Sequence, residues 1–110
     1  MKKYSGLFVF LPLFCVVLLP WKQAQAAQSG EKTYQESCAS CHDSGMFGAP
    51  RVGYRQDWAD RLPKGLKGLS NNAIYGYRGE VGFMPPKGGD DRLSDSEVEK
   101  AVKYMVDQAW

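Results

Sequence analysis

The chain has one histidine, His42, in 110 residues, and its 14 lysines and arginines nearly balance its 12 aspartates and glutamates. A single imidazole leaves no nucleophile–base constellation elsewhere, and paired carboxylates such as Asp90-Asp91 read as solvated loop charges. Balanced charge gives no basic field of the kind that holds nucleic acid. Nor is there a polybasic tail for a membrane surface. Cysteine is scarce too. Besides Cys15 there are only Cys38 and Cys41, and with His42 they fall short of the four Cys and His ligands of a structural zinc site. No apolar run reaches the roughly 20 residues that a spanning helix needs. Alternating strand runs, internal repeats and low-complexity segments are also missing.

What is present begins with an export pattern. Lys2 and Lys3 make a positive start, Leu7 to Leu19 is an apolar run of 13 residues interrupted by Pro12, and Ala24-Gln25-Ala26 has the small-x-small form of a cleavage site. This predicts a secretory signal peptide over 1–26, cut after Ala26. Bulky Phe14 before Cys15 argues against lipid modification, so a soluble, exported, periplasmic protein with no stable membrane insertion is expected. The remaining 27–110 is one domain of 84 residues with 11 basic and 12 acidic side chains. A core of that size is marginal without a staple.

Cys38-Ala39-Ser40-Cys41-His42 supplies the staple. C-x-x-C-H is the attachment pattern of a c-type haem. Two thiols at this spacing add across the porphyrin vinyl groups, and the adjacent imidazole reaches one face of the iron. A thioredoxin-like redox pair would sit in a βαβ pattern, and none is visible. With Cys38 and Cys41 so used, no disulfide is left to hold the domain. The haem then becomes the centre of the core, and the chain without it should be largely unfolded.

Helical signals flank this motif. Gly30 to Ser37 reads as a short helix running into it, with a weaker helix over Gln56 to Leu62 that stops before Pro63. Ser70 could cap a third containing Ala73, Ile74 and Tyr77. At the end, Ser94 and Glu97 form a capping box, followed by Val98, Ala101, Val102, Met105, Val106 and Ala109 at helical spacing. Between Asp43 and Asp90 lie ten of the twelve glycines and four of the six prolines, together with Met46, Phe47, Tyr54, Trp58, Tyr75, Tyr77, Phe83 and Met84. Linkers do not hold that density of large apolar residues; loops wrapped around a flat apolar cofactor do. The fold class expected is all-α, with three to four helices around one haem.

With no second histidine, methionine is the candidate for the other face of the iron. Met46 is four residues from His42, and Met105 lies on the apolar stripe of the last helix. Met84, in Phe83-Met84-Pro85-Pro86-Lys87-Gly88-Gly89, is far along the chain and has a restricted backbone after it, so it is favoured. An open sixth position, as in a weak peroxidase or gas sensor, is the alternative reading. A dedicated subunit of a larger redox complex is another.

Cys38-x-x-Cys41-His42, Gly48-Ala49-Pro50, Trp58, Met84-Pro85-Pro86-Lys87-Gly88-Gly89 and Leu93-Ser94-Asp95 leading into Tyr104-Met105-Val106 together resemble a class I c-type cytochrome, closest to the bacterial cytochrome c-five family. The resemblance covers nearly all of 27–110. It implies that Tyr34 packs on Tyr104 where the terminal helices cross, and that the Pro50 carbonyl supports the proximal His42. One departure is visible: members of this branch often carry a second cysteine pair near the methionine loop, and this chain has none. Histidine–methionine ligation fills both axial sites and favours ferrous iron, so the implied function is shuttling single electrons in a respiratory or related chain, without catalytic turnover. The expected partners are other redox proteins in transient contact at the haem edge. Phe47, Phe83 and Pro85 could line that edge, with Lys64, Lys67 and Lys87 around it, though these lysines read equally well as solubilising surface charge. Mass spectrometry of the exported protein should find one haem added to 27–110 that survives acid–acetone extraction; release of the haem would contradict attachment through Cys38 and Cys41.

Overall fold

The structure, a computed structural model, describes Gly6, Pro12 and residues 21–110. Most of the expected signal peptide therefore lies outside the described residues, and its last six residues open the first helix. That helix, α1, spans Trp21–Thr33. It passes without a break into a π-helical turn at Tyr34–Cys38 and then α2, Ala39–His42. The helix expected over Gly30 to Ser37 is thus longer at both ends. The polar sequence of α1 carries little periodicity to announce it, and Ala39 and Ser40 contain nothing that breaks a helix.

The π turn is marked by the Ala39 N–H donating to the Tyr34 carbonyl, five residues back. Such turns insert an extra residue into the helical register and recur at functional sites. Here the turn ends at Cys38, so it sets the direction in which Cys38 and the residues after it face.

Helix α1 crosses the last helix, which spans Asp95–Asp107. At the crossing Gly30 lies so close to the Lys100 backbone that an added Cβ would collide with its carbonyl. Tyr34 and Tyr104 pack there with ring centroids 5.2 Å apart and planes tilted by 42°, as the resemblance implied. Tyr34 is fully buried, and its hydroxyl donates to the Asp43 carboxylate. Burial and that carboxylate raise the phenol pKa, which keeps the proton where the hydrogen bond needs it. The capping box forms as expected: Glu97 N–H donates to Ser94 Oγ at 3.1 Å, and Ser94 N–H donates to Glu97 Oε1 at 3.2 Å. Removing such a cap costs about 0.5–2 kcal/mol. Val98, Ala101, Val102, Met105 and Ala109 of the predicted stripe are buried, and Val106 packs beside them.

The middle of the chain departs further from expectation. In place of a helix over Gln56 to Leu62 there is a single turn, α3, at Arg55–Trp58, and a 3₁₀ turn at Leu62–Lys64 that takes in Pro63. Helix α4 spans Gly65–Tyr75, beginning five residues before the expected cap. Ser70 is buried within it and caps nothing. Gly65 and Gly68 are poor helix formers and hide this start; packing against the last helix, α5, offsets their cost. Gly76, at φ 85°, ends α4 and leaves Tyr77 outside. Tyr77–Arg78 (β1) then pairs antiparallel with Phe83–Met84 (β2), in the register Tyr77 to Met84 and Arg78 to Phe83. Two residues a side are too few for alternation to show in a sequence. Among the described residues the architecture is all-α apart from this small ladder.

The helix crossing makes a prediction of definite sign. On helix propensity alone Gly30→Ala should stabilise by about 1 kcal/mol. Overpacking against Lys100 should instead destabilise the haem-loaded protein by about 1–3 kcal/mol, read as a lower guanidinium midpoint; a raised midpoint would show that the helices part freely.

Candidate haem site

The π turn and α2 bring Cys38, Cys41 and His42 to one end of the helical run. Both cysteines are half-buried and free of disulfide bonds. Burial, followed by the carboxylate of Asp90, pushes the Cys38 thiol up to about 11. His42 is buried, and its Nδ1 lies 2.8 Å from the Pro50 carbonyl oxygen. A carbonyl only accepts, so Nδ1 carries the proton and donates. Burial lowers the His42 pKa more than the Pro50 hydrogen bond raises it, which favours the neutral ring. Nε2 is left with its lone pair free, the tautomer a metal ligand requires.

The position of that carbonyl is set by the loop after His42. Val52 N–H donates to the His42 carbonyl at 2.8 Å, closing the loop on the motif. Next to Pro50, Arg51 pairs with Asp57 through Nε at 2.8 Å and a terminal guanidinium nitrogen at 3.2 Å, and its backbone N–H reaches the same carboxylate at 3.1 Å. Trp58 Nε1 donates to the Arg51 carbonyl at 2.9 Å, and its ring stacks near His42 at 6.3 Å between centroids. Arg51 holds the Asp57 carboxyl well below its ordinary range, at about 2. The Arg51–Asp57 brace is absent from the sequence reading because loop residues six apart carry no periodic signal.

His42 and Met84 line one cavity. Pro50, Trp58, Leu69, Ala73, Val102 and Met105 share its wall, and Arg61, Lys64, Asn72 and Tyr77 add polar groups. Met84 reaches it from β2, held by pairing with Tyr77. Of the other methionines, Met46 is half exposed and lines no part of this cavity, whereas Met105 is a buried wall residue on α5. The donor set suits a haem: two thiols beside a neutral imidazole, thioether sulfur in the same cavity, apolar walls, and cationic groups for the propionates. Arg61 was not singled out in the sequence, where no spacing connects it to the motif.

Outside the cavity, Cys41 borders a patch made by Phe47, Val81, Phe83 and Pro85. Phe47 is 71% exposed and Val81 76%. Phe47 adopts a left-handed backbone, φ 56°, which side chains other than glycine rarely do. Gly82 packs so tightly against the Phe47 carbonyl that it has no room for a Cβ. Phe47, Phe83 and Pro85 were expected at this edge, and Val81 joins them. Two of the lysines named with that edge make contacts within the fold, and Lys64 also lines the surface beside Phe47 and Phe83. Lys64 lies over the Tyr77 ring and donates to its hydroxyl at 3.1 Å, while Lys87 turns back to α5.

Residues 25–105 match the family model described as cytochrome C oxidase, cbb3-type, subunit III. Cytochrome c-555 of Chlorobaculum tepidum is 48% identical over 86 residues, covering 78% of this chain and 80% of the relative. Cytochrome c5 of Ectopseudomonas mendocina is 35% identical over 81 residues, covering 72% and 88%. The chain belongs to the class I c-type cytochromes. A chain in the crystal structure of an electron transfer complex of nitrite reductase with cytochrome c superposes with a TM-score of 0.65 at 36% identity, covering 74% of this chain and 95% of that one. The cofactor of this cytochrome is accordingly one covalently attached haem c, and the protein is an electron carrier, not an enzyme. Among the described residues, no helix is long and apolar enough to cross a membrane.

The brace on the Pro50 loop should show in the acid stability of this cytochrome. A carboxylate whose pKa is depressed on folding stabilises the native state above its unfolded pKa, and that contribution disappears as the pH falls through the folded value. The stability lost in Asp57→Asn should therefore be constant above about pH 5 and vanish between about pH 4 and pH 2. Denaturant titrations across that range check it, and a difference independent of pH would assign the loss to something other than the ion pair.

Proposed function

We propose that this cytochrome is exported to the periplasm and shuttles single electrons between redox partners of a respiratory or related chain, with its haem attached through Cys38 and Cys41 and its iron held by His42 and Met84. The observation that carries the proposal is the pairing of His42, its Nδ1 on the Pro50 carbonyl, with Met84 in one cavity. When bound, haem iron supplies the one-electron redox step, at a potential set by its axial ligands.

The chain's own residues do the rest. The Pro50 carbonyl fixes the His42 tautomer and adds electron density to the ring. A Met84 thioether on the iron would leave no ready place for water, oxygen or peroxide. Trp58, Val102 and Met105 keep the site dry and rigid, so little has to rearrange between oxidation states. The patch of Phe47, Val81, Phe83 and Pro85 beside Cys41 gives redox partners an apolar landing area at the expected haem edge. The electron transfer complex in which a similar chain occurs supports such transient contact.

The description of the matching family model favours one second reading, a cytochrome subunit of an oxidase. Co-purification with a membrane oxidase would support it; recovery of the free protein from a periplasmic extract supports the carrier.

Met84→Ala tests the ligand set. The ferric protein should turn high-spin or take up water or a stray lysine, and the ferrous form should bind carbon monoxide. Its midpoint potential should fall by on the order of a hundred millivolts, well inside the range over which axial ligands set haem potentials. Met46→Ala and Met105→Leu should keep the low-spin spectrum. If Met84→Ala keeps it instead, the ligand lies elsewhere.

A further inference from the structure

The loop that follows Met84 is tied down at both ends by side chains that neither the helix crossing nor the proximal loop requires. Lys87 Nζ donates to the Leu93 carbonyl at 2.7 Å and pairs with the Asp95 carboxylate at 3.1 Å. Asp95 is the first residue of α5 and Leu93 directly precedes its Ser94 cap, so the loop is tied to the entry of that helix. Lys87 does this from a left-handed backbone, φ 55°, continued by Gly88 at 65° and Gly89 at 88°. A lysine persists in that conformation only where surrounding contacts over-determine it.

The second tie runs to the attachment motif. Ser37 Oγ donates to Asp90 Oδ2 at 3.0 Å, and Arg92 holds the same carboxylate through Nε at 2.9 Å. Gly88 presses on this segment too, since an added Cβ would lie 3.0 Å from the Ser37 carbonyl oxygen. Ser37 immediately precedes Cys38. The loop after Met84 is thereby fixed to both the helix that walls the cavity and the segment that carries the thiols.

We propose that Lys87 and Asp90 are positioning residues that hold the Met84 thioether at the iron, so that they set how readily the sixth position opens to an external ligand. This rests on Met84 being the ligand. The ammonium of Lys87 is engaged within the fold, which gives it a positioning role rather than a free surface charge. Each tie restricts the loop excursion needed to withdraw the sulfur. Opening therefore requires breaking a charge-assisted hydrogen bond, a stronger contact than a neutral one.

The experiment is an imidazole titration of the ferric holoprotein, followed by loss of the weak sulfur–iron charge-transfer band near the red end of the spectrum. Lys87→Met keeps the stem and removes the ammonium, and should lower the half-saturating imidazole about tenfold, equivalent to about 1.4 kcal/mol. Lys87→Arg, which can still donate to both acceptors, should restore most of the wild-type value. Asp90→Asn should act in the same direction as Lys87→Met and gives an independent reading should that variant fail to fold. Lys103→Met is the control, because Lys103 pairs with Asp107 at 2.6 Å on the same helix but away from the loop; it should leave the titration unchanged. A lower melting temperature with an unchanged imidazole titration would make the ties merely structural and overturn the proposal. Absence of the charge-transfer band from the wild-type protein would overturn the ligand reading itself, and this proposal with it.

Discussion

One hydrogen bond organises the proximal half of this cytochrome: His42 Nδ1 to the Pro50 carbonyl. A buried neutral imidazole can present a free nitrogen only if the other nitrogen has somewhere to give its proton. That carbonyl must stay within hydrogen-bond reach while the chain reverses through a glycine-rich loop. Arg51, Asp57 and Trp58 do the holding, each bonding to backbone or side chain next to Pro50. None of them touches the imidazole through a hydrogen bond, yet its tautomer depends on all three.

A second constraint is economy of core. Trp58, Ala73, Val102 and Met105 belong both to the buried cluster and to the cavity wall. In a domain this small the residues that stabilise the fold are also those that wall the cavity proposed for the haem, so under that proposal folding and haem binding draw on the same contacts. The terminal helix crossing is the part that stands apart. Gly30 against Lys100, Tyr34 against Tyr104 and the Tyr34–Asp43 hydrogen bond fasten α1 to α5 and to the residue after His42. Cys38, Cys41 and His42 are thereby placed next to that crossing.

The distal half is built from loops, and its rigidity comes from side-chain ties and close backbone approaches. Gly76 is hemmed in by Pro86 and the Met84 carbonyl, with a would-be Cβ 3.0 Å from Pro86. Gly82 is hemmed in by Phe47. Phe47 and Val81 are exposed beside Cys41. Apolar side chains held at the surface by a strained backbone mark contact with another molecule more persuasively than exposure alone.

The sequence by itself determined the chemistry and the outline of the fold. C-x-x-C-H at 38–42 points to a covalent haem because few other uses of those residues survive when the chain has no further histidine. The capping box and apolar stripe of α5 were equally legible, since both depend on residues within a turn or two of each other. Tertiary structure decided whatever depends on contacts between distant segments. It started α4 at Gly65, where packing overrides poor propensity, and ran α1 through a π turn into the motif. It paired Tyr77 with Met84, joined Arg51 to Asp57, and turned Lys87 inward to α5. Periodicity and capping are local signals. The positions of Met84 and the Pro50 carbonyl are set by hydrogen bonds across loops, which leave no pattern along the chain.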